Sequence, residues 1–329
     1  MKNGKIVSSI TLESISALWL DHIRDDVKET TCCKYANLLK SYILPYIGQK
    51  TTSKIHDNDL ELLVKRLRTT GGKNNTGLAP STISEVLSVL SSLKKFTLKK
   101  GYISGYDTGN IRIKRDTSEI RILSRSEKKM LVDYICDHPD RTGVGILISL
   151  LMGLRIGELC ALKWNDIDLD NGTLRVNRSL QRVQRRGAVS GPRTMIVISP
   201  PKSRSSIRTI PIPELLIESL RLFYTDNAYV LTGHSDKYIE PRTLENRFAA
   251  ILRSCDIENV KFHCLRHTFA TQCIELGFDI KSLSEILGHS NTSITMNRYV
   301  HPSMDHKSSN MNRFSAVFSL KISKQLHIN

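Results

Sequence analysis

The chain has 329 residues, long enough for two domains with buried cores, and its 48 Lys and Arg against 32 Asp and Glu give a formal net charge of +16. This charge favours a polyanionic partner, either nucleic acid or an acidic membrane face. The charge is shared equally between residues 1–117 and residues 118–329, which argues against a single basic tail. The seven cysteines form no C-x-x-C pair, so the sequence predicts no disulfide framework. It has no apolar leader and no apolar run of about 20 residues, so it predicts neither a secretory signal nor a membrane span.

The first part of the chain has the apolar periodicity of a helical domain, which we place at residues 11–105. Four helices are predicted, beginning at Thr11, at Thr30 or Thr31, at Asp57 or Asp59, and at Pro80. Pro45 and Gly48 are expected to end the second of them. Residues 1–10 are predicted to be a flexible lead and residues 106–121 a linker, because the periodicity is lost there.

A second domain is predicted over residues 122–302. Ser124 with Glu127 has the pattern of a capping box, and the apolar run from Val144 to Leu154 predicts a buried helix. Five further helices are predicted, at Leu215–Phe223, Pro241–Arg253, His263–Leu276, Ile280–Leu287 and Thr292–Val300, with Gly277 and Gly288 as C′ glycines. The expected fold class is therefore mainly α with a small antiparallel β-sheet, in which a helical domain precedes an α+β domain.

Residues 172–213 of this second domain have a different character. Three short β-prone runs, Thr173–Val176, Met195–Ser199 and Arg208–Ile212, lie between turn signals, and Arg185–Gly191 is expected to be the tip of a hairpin. The segment has no acidic residue and nine basic ones, namely Arg175, Arg178, Arg182, Arg185, Arg186, Arg193, Lys202, Arg204 and Arg208. Because a solvated face normally mixes charges of both signs, this cationic sheet is predicted to face phosphates, and a generally basic surface is the alternative.

The stretch that ends at Tyr299 holds residues suited to chemistry on a phosphate. Attack on a phosphodiester needs a nucleophile, cationic donors for the non-bridging oxygens and an acid for the leaving oxygen. Arg266 lies one helical turn from His263, so both project from one face, and a guanidinium can hold two phosphate oxygens. His289 adds an imidazole, and Tyr299 adds a phenol whose attack would conserve the bond energy in a phosphotyrosine ester.

Two other interpretations of this stretch stay open at the level of sequence. His263 and His267 are spaced i, i+4, as two zinc ligands can be, but no glutamate stands beside His263 and a third ligand would have to come from far away. His267 together with Phe269 also fits simple core packing, which we favour for His267. The stretch has no paired carboxylates of the kind that hold divalent cations, so arginine is the better candidate for the cationic donors.

Two upstream residues are candidates for the same site. Arg155 directly follows the buried apolar run, and Glu158 can orient its guanidinium by a salt bridge, whereas a snorkelling surface arginine is the alternative. Lys202 is the only lysine between Lys163 and Lys237 and lies on a turn between two predicted strands. A lysine on such a turn can protonate a leaving oxygen, although a solvated turn lysine has the same sequence pattern.

Five motifs, in one order along the chain, resemble those of the tyrosine recombinases, the phage and transposon integrases. They are Gly-Leu-Arg-Ile-Gly-Glu-Leu at 153–159, the lysine turn at 202, His-Cys-Leu-Arg-His-Thr-Phe-Ala-Thr at 263–271, Leu-Gly-His-Ser at 287–290 and Tyr-Val-His-Pro at 299–302. The resemblance implies a site-specific DNA recombinase that works without metal, ATP or another cofactor and integrates or excises a mobile element through a 3′-phosphotyrosine link. It assigns phosphate binding to Arg155, Arg266 and His289, proton transfer and phosphate contact to His263, the general acid to Lys202, the nucleophile to Tyr299, and support of Arg155 to Glu158.

The resemblance also implies how such a protein meets its partners. The helical domain would bind core DNA and close a C-shaped clamp with the catalytic domain around double-stranded recombination sites. The predicted DNA contacts of the cationic segment are Arg178, Arg182, Arg185, Arg186 and Arg204. Residues 303–329, a tail with apolar residues at helical spacing, would dock on a neighbouring protomer in a tetramer on DNA. Accessory DNA-bending proteins are further expected partners, no membrane is expected, and the expected location is the cytoplasm, at the nucleoid.

Two other functions are compatible with the same residues. A DNA-binding regulator would keep the fold without cutting DNA, although all six catalytic positions are filled here. A type IB topoisomerase would share the chemistry and would relax supercoiled DNA without a preferred site.

Overall fold

The computed structural model describes residues 10–72, 74, 76–113, 121–184, 194–201, 204–299 and 304–315. The helices within these ranges are α1 (Leu12–His22), α2 (Glu29–Leu38), α3 (Leu44–Ile47), α4 (Asp57–Thr70), α5 (Pro80–Lys99), α6 (Arg125–Asp137), α7 (Arg141–Met152), α8 (Ile156–Cys160), α9 (Glu214–Phe223), α10 (Pro241–Ser254), α11 (His263–Glu275), α12 (Ile280–Leu287), α13 (Thr292–Tyr299) and α14 (Met304–Ser315). The strands are β1 (Ile167–Asp168), β2 (Thr173–Val176), β3 (Ser179–Gln184), β4 (Thr194–Ser199) and β5 (Arg208–Pro211). The predicted fold class, mainly α with small antiparallel sheets, is confirmed.

The chain divides into two compact units. The first comprises Met1–Glu119 and Arg182–Ile196, and the second comprises Ile120–Gln181 and Val197–Asn329. Among the described residues, no helix combines the length and the apolar character that crossing a membrane requires.

The first unit has its own core between α1, α2, α4 and α5. The hydroxyl of Thr11 accepts a hydrogen bond from the backbone N–H of Ser14 and so caps α1, which then buries Leu12, Ile15 and Trp19. The predicted start of α5 at Pro80 is confirmed. Each fully buried aliphatic side chain of this core contributes about 1.5–3 kcal/mol of burial free energy, which stabilises the unit through its own contacts.

The second predicted helix does not end at Pro45. Its N-cap is Lys28, and neither Thr30 nor Thr31 caps it. At its other end α2 continues through a π-helical turn, Leu39–Ile43, into α3, and Pro45 lies in the first turn of α3. A proline lacks the N–H that a regular helix would bond, and its ring needs room from the carbonyl one turn back. The wider π turn before it relieves both problems, so the predicted stop at Pro45 was wrong. The helix does end at Gly48, the C-cap of α3, as predicted.

The segment predicted as a linker begins inside the core of the first unit. Tyr106 is buried, and its hydroxyl donates a hydrogen bond to the carbonyl oxygen of Leu90 at 3.0 Å. Ile111 and Ile113 pack against the same core. The described part of the segment thus extends the helical unit, whereas residues 114–120 lie outside the described residues.

The central helix of the second unit is α7. The side chain of Asp140 caps it by accepting from the backbone N–H of Gly143 at 2.6 Å, and most of its residues are buried beneath α6, α8, α9, α10 and α11. Gly153 ends the helix in the left-handed region, at φ +68°, and a Cβ there would lie 2.6 Å from the ring of Phe269. The predicted buried helix is confirmed, and its end delivers Arg155 to the surface of the unit.

A three-stranded antiparallel sheet, in the order β1-β2-β5, flanks these helices, and β3 with β4 forms a separate two-stranded sheet. Leu174 pairs with Ile210 across β2 and β5, and both are buried, while the neighbouring Arg175 is exposed. The predicted runs correspond to β2, β4 and β5. The sequence did not predict β1, which has only two residues, or β3, whose buried Leu180 and Val183 break the alternation expected of a strand.

Candidate active site

Three arginines from different parts of the second unit meet at the carboxyl end of α12. Their guanidinium groups donate to three consecutive carbonyl oxygens, Arg208 Nε to Ile286, Arg266 Nη2 to Leu287 at 2.6 Å, and Arg155 Nη2 to Gly288 at 3.2 Å. The last carbonyls of a helix have no partner within it and carry partial negative charge, so they attract cations. This helix end therefore gathers side chains that are far apart in sequence.

Gly288 shapes this helix end. It closes α12 in the left-handed region, at φ +65°, as the sequence predicted for a C′ glycine. A Cβ on this residue would lie 2.9 Å from Nη1 of Arg208. Glycine thus combines the backbone turn with the close approach of the arginine.

Glu158 is the carboxylate that holds two of the arginines. Its side chain, only 3% exposed, accepts from Arg155 Nη1 at 2.8 Å and from Arg208 Nη1 and Nη2 at 3.1 and 3.0 Å. Burial by itself raises the pKa of Glu158, but the hydrogen bond and charge of Arg208, with the charge of Arg155, outweigh it and set that pKa below its usual value. The predicted salt bridge between Glu158 and Arg155 is present, and the carboxylate is ionised at neutral pH.

Arg266 is among the largest fully buried side chains of the chain. Its Nη1 donates to the carbonyl oxygen of Gly153 at 2.7 Å, so the guanidinium ties the end of α7 to the end of α12. Burial, followed by the charge of Arg155, lowers the pKa of Arg266 to about 9. The group is therefore still cationic at neutral pH.

His289 follows Gly288 and adopts one tautomer. Its Nε2 lies 3.0 Å from Arg266 Nη2, and because a guanidinium only donates, this nitrogen accepts. The Nδ1–H then donates to the hydroxyl oxygen of Thr295 at 2.8 Å. Burial, and next the charges of Arg266 and Arg155, lower the pKa of His289 to about 4, which agrees with a neutral ring.

Tyr299 is the last residue of α13 and points inward. Its side chain is buried, and its Oη lies 2.9 Å from Nδ1 of His267 on α11. Burial, the largest influence, raises the pKa of the Tyr299 phenol, and the charges of Arg266, Arg298 and Arg155 act in the opposite direction. The phenol is thus protonated at neutral pH and lies in a cationic environment.

His263 begins α11 and keeps an exposed edge. Its ring packs edge-on against that of His267, with 4.5 Å between the centroids. Partial loss of hydration, followed by the charges of Arg266, Arg298 and Arg155, lowers the pKa of His263 to about 4. Within the part of the chain that the structure describes, no group of three His, Cys, Asp or Glu side chains is arranged to hold a metal ion.

The site as described has an excess of positive charge. Three guanidinium groups, of Arg155, Arg208 and Arg266, stand against the single carboxylate of Glu158. A phosphodiester gains negative charge on its non-bridging oxygens as it is attacked, and preorganised cations stabilise that change. The arrangement is therefore suited to phosphoryl transfer by a nearby nucleophile.

A sequence model described as the phage integrase family matches residues 121–306, more than half of the chain, and the N-terminal SAM-like domain of phage integrases matches residues 11–68. The chain belongs to the phage integrase family. One relative, named Tyrosine recombinase XerC-like, comes from Caldanaerobacter subterraneus subsp. tengcongensis and is 28% identical over 330 residues, which span 92% of this chain and 82% of that protein. The predicted functional class is confirmed: the protein is a site-specific recombinase of the tyrosine type, which transfers DNA strands.

Solved structures of two integrases share the fold. The Tn1549 transposon integrase, in complex with a circular intermediate DNA, has a TM-score of 0.75 at 21% identity, covering 93% of this chain and 100% of that chain. A lambda integrase tetramer bound to a Holliday junction has a TM-score of 0.63 at 17% identity, covering 87% of this chain and 79% of the lambda chain. At these identities the likeness establishes the fold of this integrase-family protein.

Five of the six predicted catalytic residues of this recombinase are linked by contacts in one region: Arg155, His263, Arg266, His289 and Tyr299. The sixth, Lys202, lies outside the described residues, as do Arg185 and Arg186 of the predicted DNA contacts. Arg182 is exposed and donates to Thr194, and the backbone of Arg204 lies in a 3₁₀ turn. Arg178, another of the predicted DNA contacts, forms an ion pair with Asp166 within the protein.

Sequence reasoning missed two residues of the site. Arg208 was assigned to a phosphate-facing sheet, but its side chain is only 6% exposed and bonded to Glu158, because β5 packs against α12. His267 was interpreted as core packing, and it is buried, yet it also contacts the hydroxyl of Tyr299. The i, i+4 spacing from His263 placed His267 on the catalytic face and was the one available signal.

Proposed function

We propose that this recombinase cleaves and rejoins DNA at specific sites through Tyr299, with a 3′-phosphotyrosine intermediate, to integrate or excise a mobile element. The observation that supports this best is the meeting of Arg155 and Arg266 at one helix end, with the protonated phenol of Tyr299 in the same cationic surroundings. A phosphate seated on these guanidiniums would have its non-bridging oxygens held by fixed donors. The phenol is then the nucleophile of the site.

In the cleavage step, the Oη–P bond forms and the bond from phosphorus to the 5′ oxygen breaks. Lys202 gives a proton to that leaving oxygen. The proton of the phenol passes to solvent with the assistance of His263, which lies at the open edge of the site and also contacts the phosphate. His289, held in place by Thr295, is proposed as the third phosphate ligand. Its Nε2 donates to a phosphate oxygen once it has taken up a proton, which the negative charge of the bound phosphate favours. Attack by a new 5′ hydroxyl reverses the same steps, so the strand is rejoined without an external energy source.

Glu158 has a supporting role in this proposal. Among the residues that the structure describes, its carboxylate is the one that pairs with Arg155 and Arg208, and it fixes both while staying buried. A fixed guanidinium loses less freedom when a phosphate binds than a mobile one does. Glu158 thereby stabilises the phosphate-binding geometry while leaving the net charge of the cluster positive.

The two units would act together on DNA. The helical unit, proposed as a core-DNA-binding domain, and the catalytic domain of residues 122–302 are both basic, and the arginines of the hairpin, including Arg178 and Arg182, would contact the backbone. Residues 303–329 are proposed to dock on a neighbouring protomer in a tetramer. In support, α14 leaves the apolar side chain of Met311 largely exposed, where a neighbouring protomer could cover it.

A covalent trapping experiment tests the proposal. Wild-type protein is incubated with nicked duplexes of randomised core sequence, and the duplexes that stay attached after denaturation are amplified and sequenced. We expect a denaturation-resistant adduct on a defined core sequence, none with Tyr299→Phe, and an undiminished adduct with Tyr224→Phe, which changes an exposed tyrosine outside the site. EDTA should leave the yield unchanged.

Each alternative function has a distinct outcome in this experiment. Tight DNA binding without any adduct would indicate a silent DNA-binding protein. An adduct without preference for a core sequence, together with relaxation of supercoiled DNA, would indicate a topoisomerase. A loss of adduct in EDTA that Zn²⁺ restores would revive the zinc interpretation of His263 and His267.

A further inference from the structure

The phenol of Tyr299 is held by a residue outside the predicted catalytic set. Nδ1 of His267 lies 2.9 Å from Tyr299 Oη, and both side chains are less than a tenth exposed. A buried tyrosine hydroxyl needs a hydrogen-bond partner, because leaving it unpaired costs about 1–3 kcal/mol. The two residues are 32 positions apart, so this contact joins α11 to α13.

The direction of this hydrogen bond follows from the protonation of both groups. Burial, with the charges of His263 and two nearby arginines, lowers the pKa of His267 to about 4, so the ring is neutral at neutral pH and has one nitrogen with a free lone pair. The phenol keeps its proton, since burial raises the pKa of Tyr299 above its ordinary value. Tyr299 Oη–H can therefore donate to Nδ1 of His267.

The ring of His267 is itself fixed. It packs edge-on against His263, one turn earlier on α11, with an angle of 81° between the ring planes. The helix is anchored at the same level, because Arg266 bonds the carbonyl oxygens of Gly153 and Leu287. The acceptor for the phenol is thus on a rigid element beside the arginine cluster, while Tyr299 stands at the very end of its own helix.

We propose that His267 is the positioning residue for the nucleophile, with its Nδ1 accepting the Tyr299 hydroxyl and orienting the phenol toward the phosphate site. This inference rests on the proposed function, since it takes Tyr299 as the nucleophile. It assigns orientation to His267 and not the removal of the proton. In the free protein, transfer of the phenol proton to this imidazole is disfavoured, because burial lowers the pKa of His267 and raises the pKa of Tyr299.

The test compares two replacements of His267. In His267→Asn the side-chain oxygen is attached to Cγ, as Nδ1 is in histidine, so it can accept from Tyr299 at nearly the same position but cannot take up a proton at neutral pH. In His267→Leu the volume is similar and no acceptor remains. His234→Leu is the matched control, because His234 is exposed and lies outside the site.

The readout is the rate of covalent adduct formation at saturating DNA, together with the Kd for the same DNA. The probe is a nicked duplex carrying the core sequence that wild-type protein selects from the randomised pool. We expect His267→Leu to be slower by about tenfold with an unchanged Kd, the size expected for one lost orienting hydrogen bond. His267→Asn should stay within about threefold of wild type, and His234→Leu should match it.

Two outcomes would overturn the inference. If His267→Leu reacts as fast as wild type, the contact does not position the nucleophile. If His267→Asn is as slow as His267→Leu, the histidine acts as a proton acceptor and not as a positioning group. Failure of the proposed function is distinguishable, because wild-type protein would then form no adduct. Should His267→Leu not fold, His267→Gln replaces it, since its oxygen is one bond farther from Cγ and misses the phenol.

Discussion

Neutralising Glu158 probes the charge balance of the arginine cluster. In Glu158→Gln the shape is kept and one oxygen can still accept, but the guanidiniums of Arg155 and Arg208 lose their shared counter-charge. Removing one partner of a buried ion pair costs about 3–5 kcal/mol, because a charge is left uncompensated. Arg155 is partly exposed and the amide keeps one hydrogen bond, so we expect a loss of about 3 kcal/mol in the free energy of unfolding at pH 7.

The pH dependence of this loss has a definite sign. The pKa of Glu158 is lower in the folded protein than in the unfolded chain, where a glutamate titrates near about 4.3. The stabilisation by its charge is therefore fully present above the unfolded pKa and is lost as the pH falls through the folded one. The difference between wild type and Glu158→Gln should be constant from about pH 7 to 5 and should shrink below about pH 4.

Urea unfolding followed by tryptophan fluorescence can measure the loss of stability in the catalytic unit, which contains Glu158. Trp19 belongs to the helical unit and the buried Trp164 to the catalytic unit, so a Trp19→Phe background reports the unfolding of the catalytic unit alone. Glu218→Gln, an exposed change on α9, is the control and should stay within about 0.5 kcal/mol. If Glu158→Gln were as stable as this control at pH 7, or if its loss did not depend on pH, the reasoning about the cluster would be refuted.

Three further substitutions test other contacts of the site. Arg266→Lys cannot serve Gly153, Leu287 and His289 together, so we expect adduct formation at least about 100-fold slower. A rate near wild type would contradict the assigned role. In Gly288→Ala the new methyl group is strained by the left-handed backbone and also clashes with Arg208, whereas in Gly277→Ala it enters open space. The free energy of unfolding in urea should therefore fall by about 1–2 kcal/mol more for Gly288→Ala than for Gly277→Ala. Equal losses would contradict this. Lys202→Ala should slow cleavage by about 100-fold or more. A substrate with sulfur in place of the 5′-bridging oxygen should restore the cleavage rate, because a thiol with a pKa of about 8.5 leaves without a general acid. A defect that persists on this substrate would show that Lys202 is not the general acid.

Local signals in the sequence predicted much of the fold. The capping box of Ser124 and Glu127 and the left-handed C′ position of Gly288 are confirmed, because each depends on a few neighbouring residues. The salt bridge between Arg155 and Glu158 was predictable for the same reason, since the residues are three apart. The stop predicted at Pro45 failed, because a π turn accommodates the proline inside a continuing helix.

The contacts that complete the site depend on packing between distant segments. Arg208 lies 50 residues from Glu158, and only the packing of β5 against α12 brings its guanidinium to the carboxylate. The acid-free composition around Arg208 predicted a phosphate-facing cation, since composition carries no information on a partner so far away. His267 and Tyr299 are likewise in contact only because α11 and α13 pack together. The sequence carries no local signal of that packing, so His267 was predicted to be an ordinary core residue.

The identity of the residue that becomes attached to DNA tests the central claim most directly. Wild-type adduct is trapped on the selected nicked duplex, the DNA is digested to a nucleotide remnant, and the protein is cleaved with trypsin for mass spectrometry. Of the ten tyrosines in the chain, only Tyr299 falls in the fragment 299–307. The account predicts a 3′-phosphonucleotide on Tyr299, and an adduct on any other residue would contradict it.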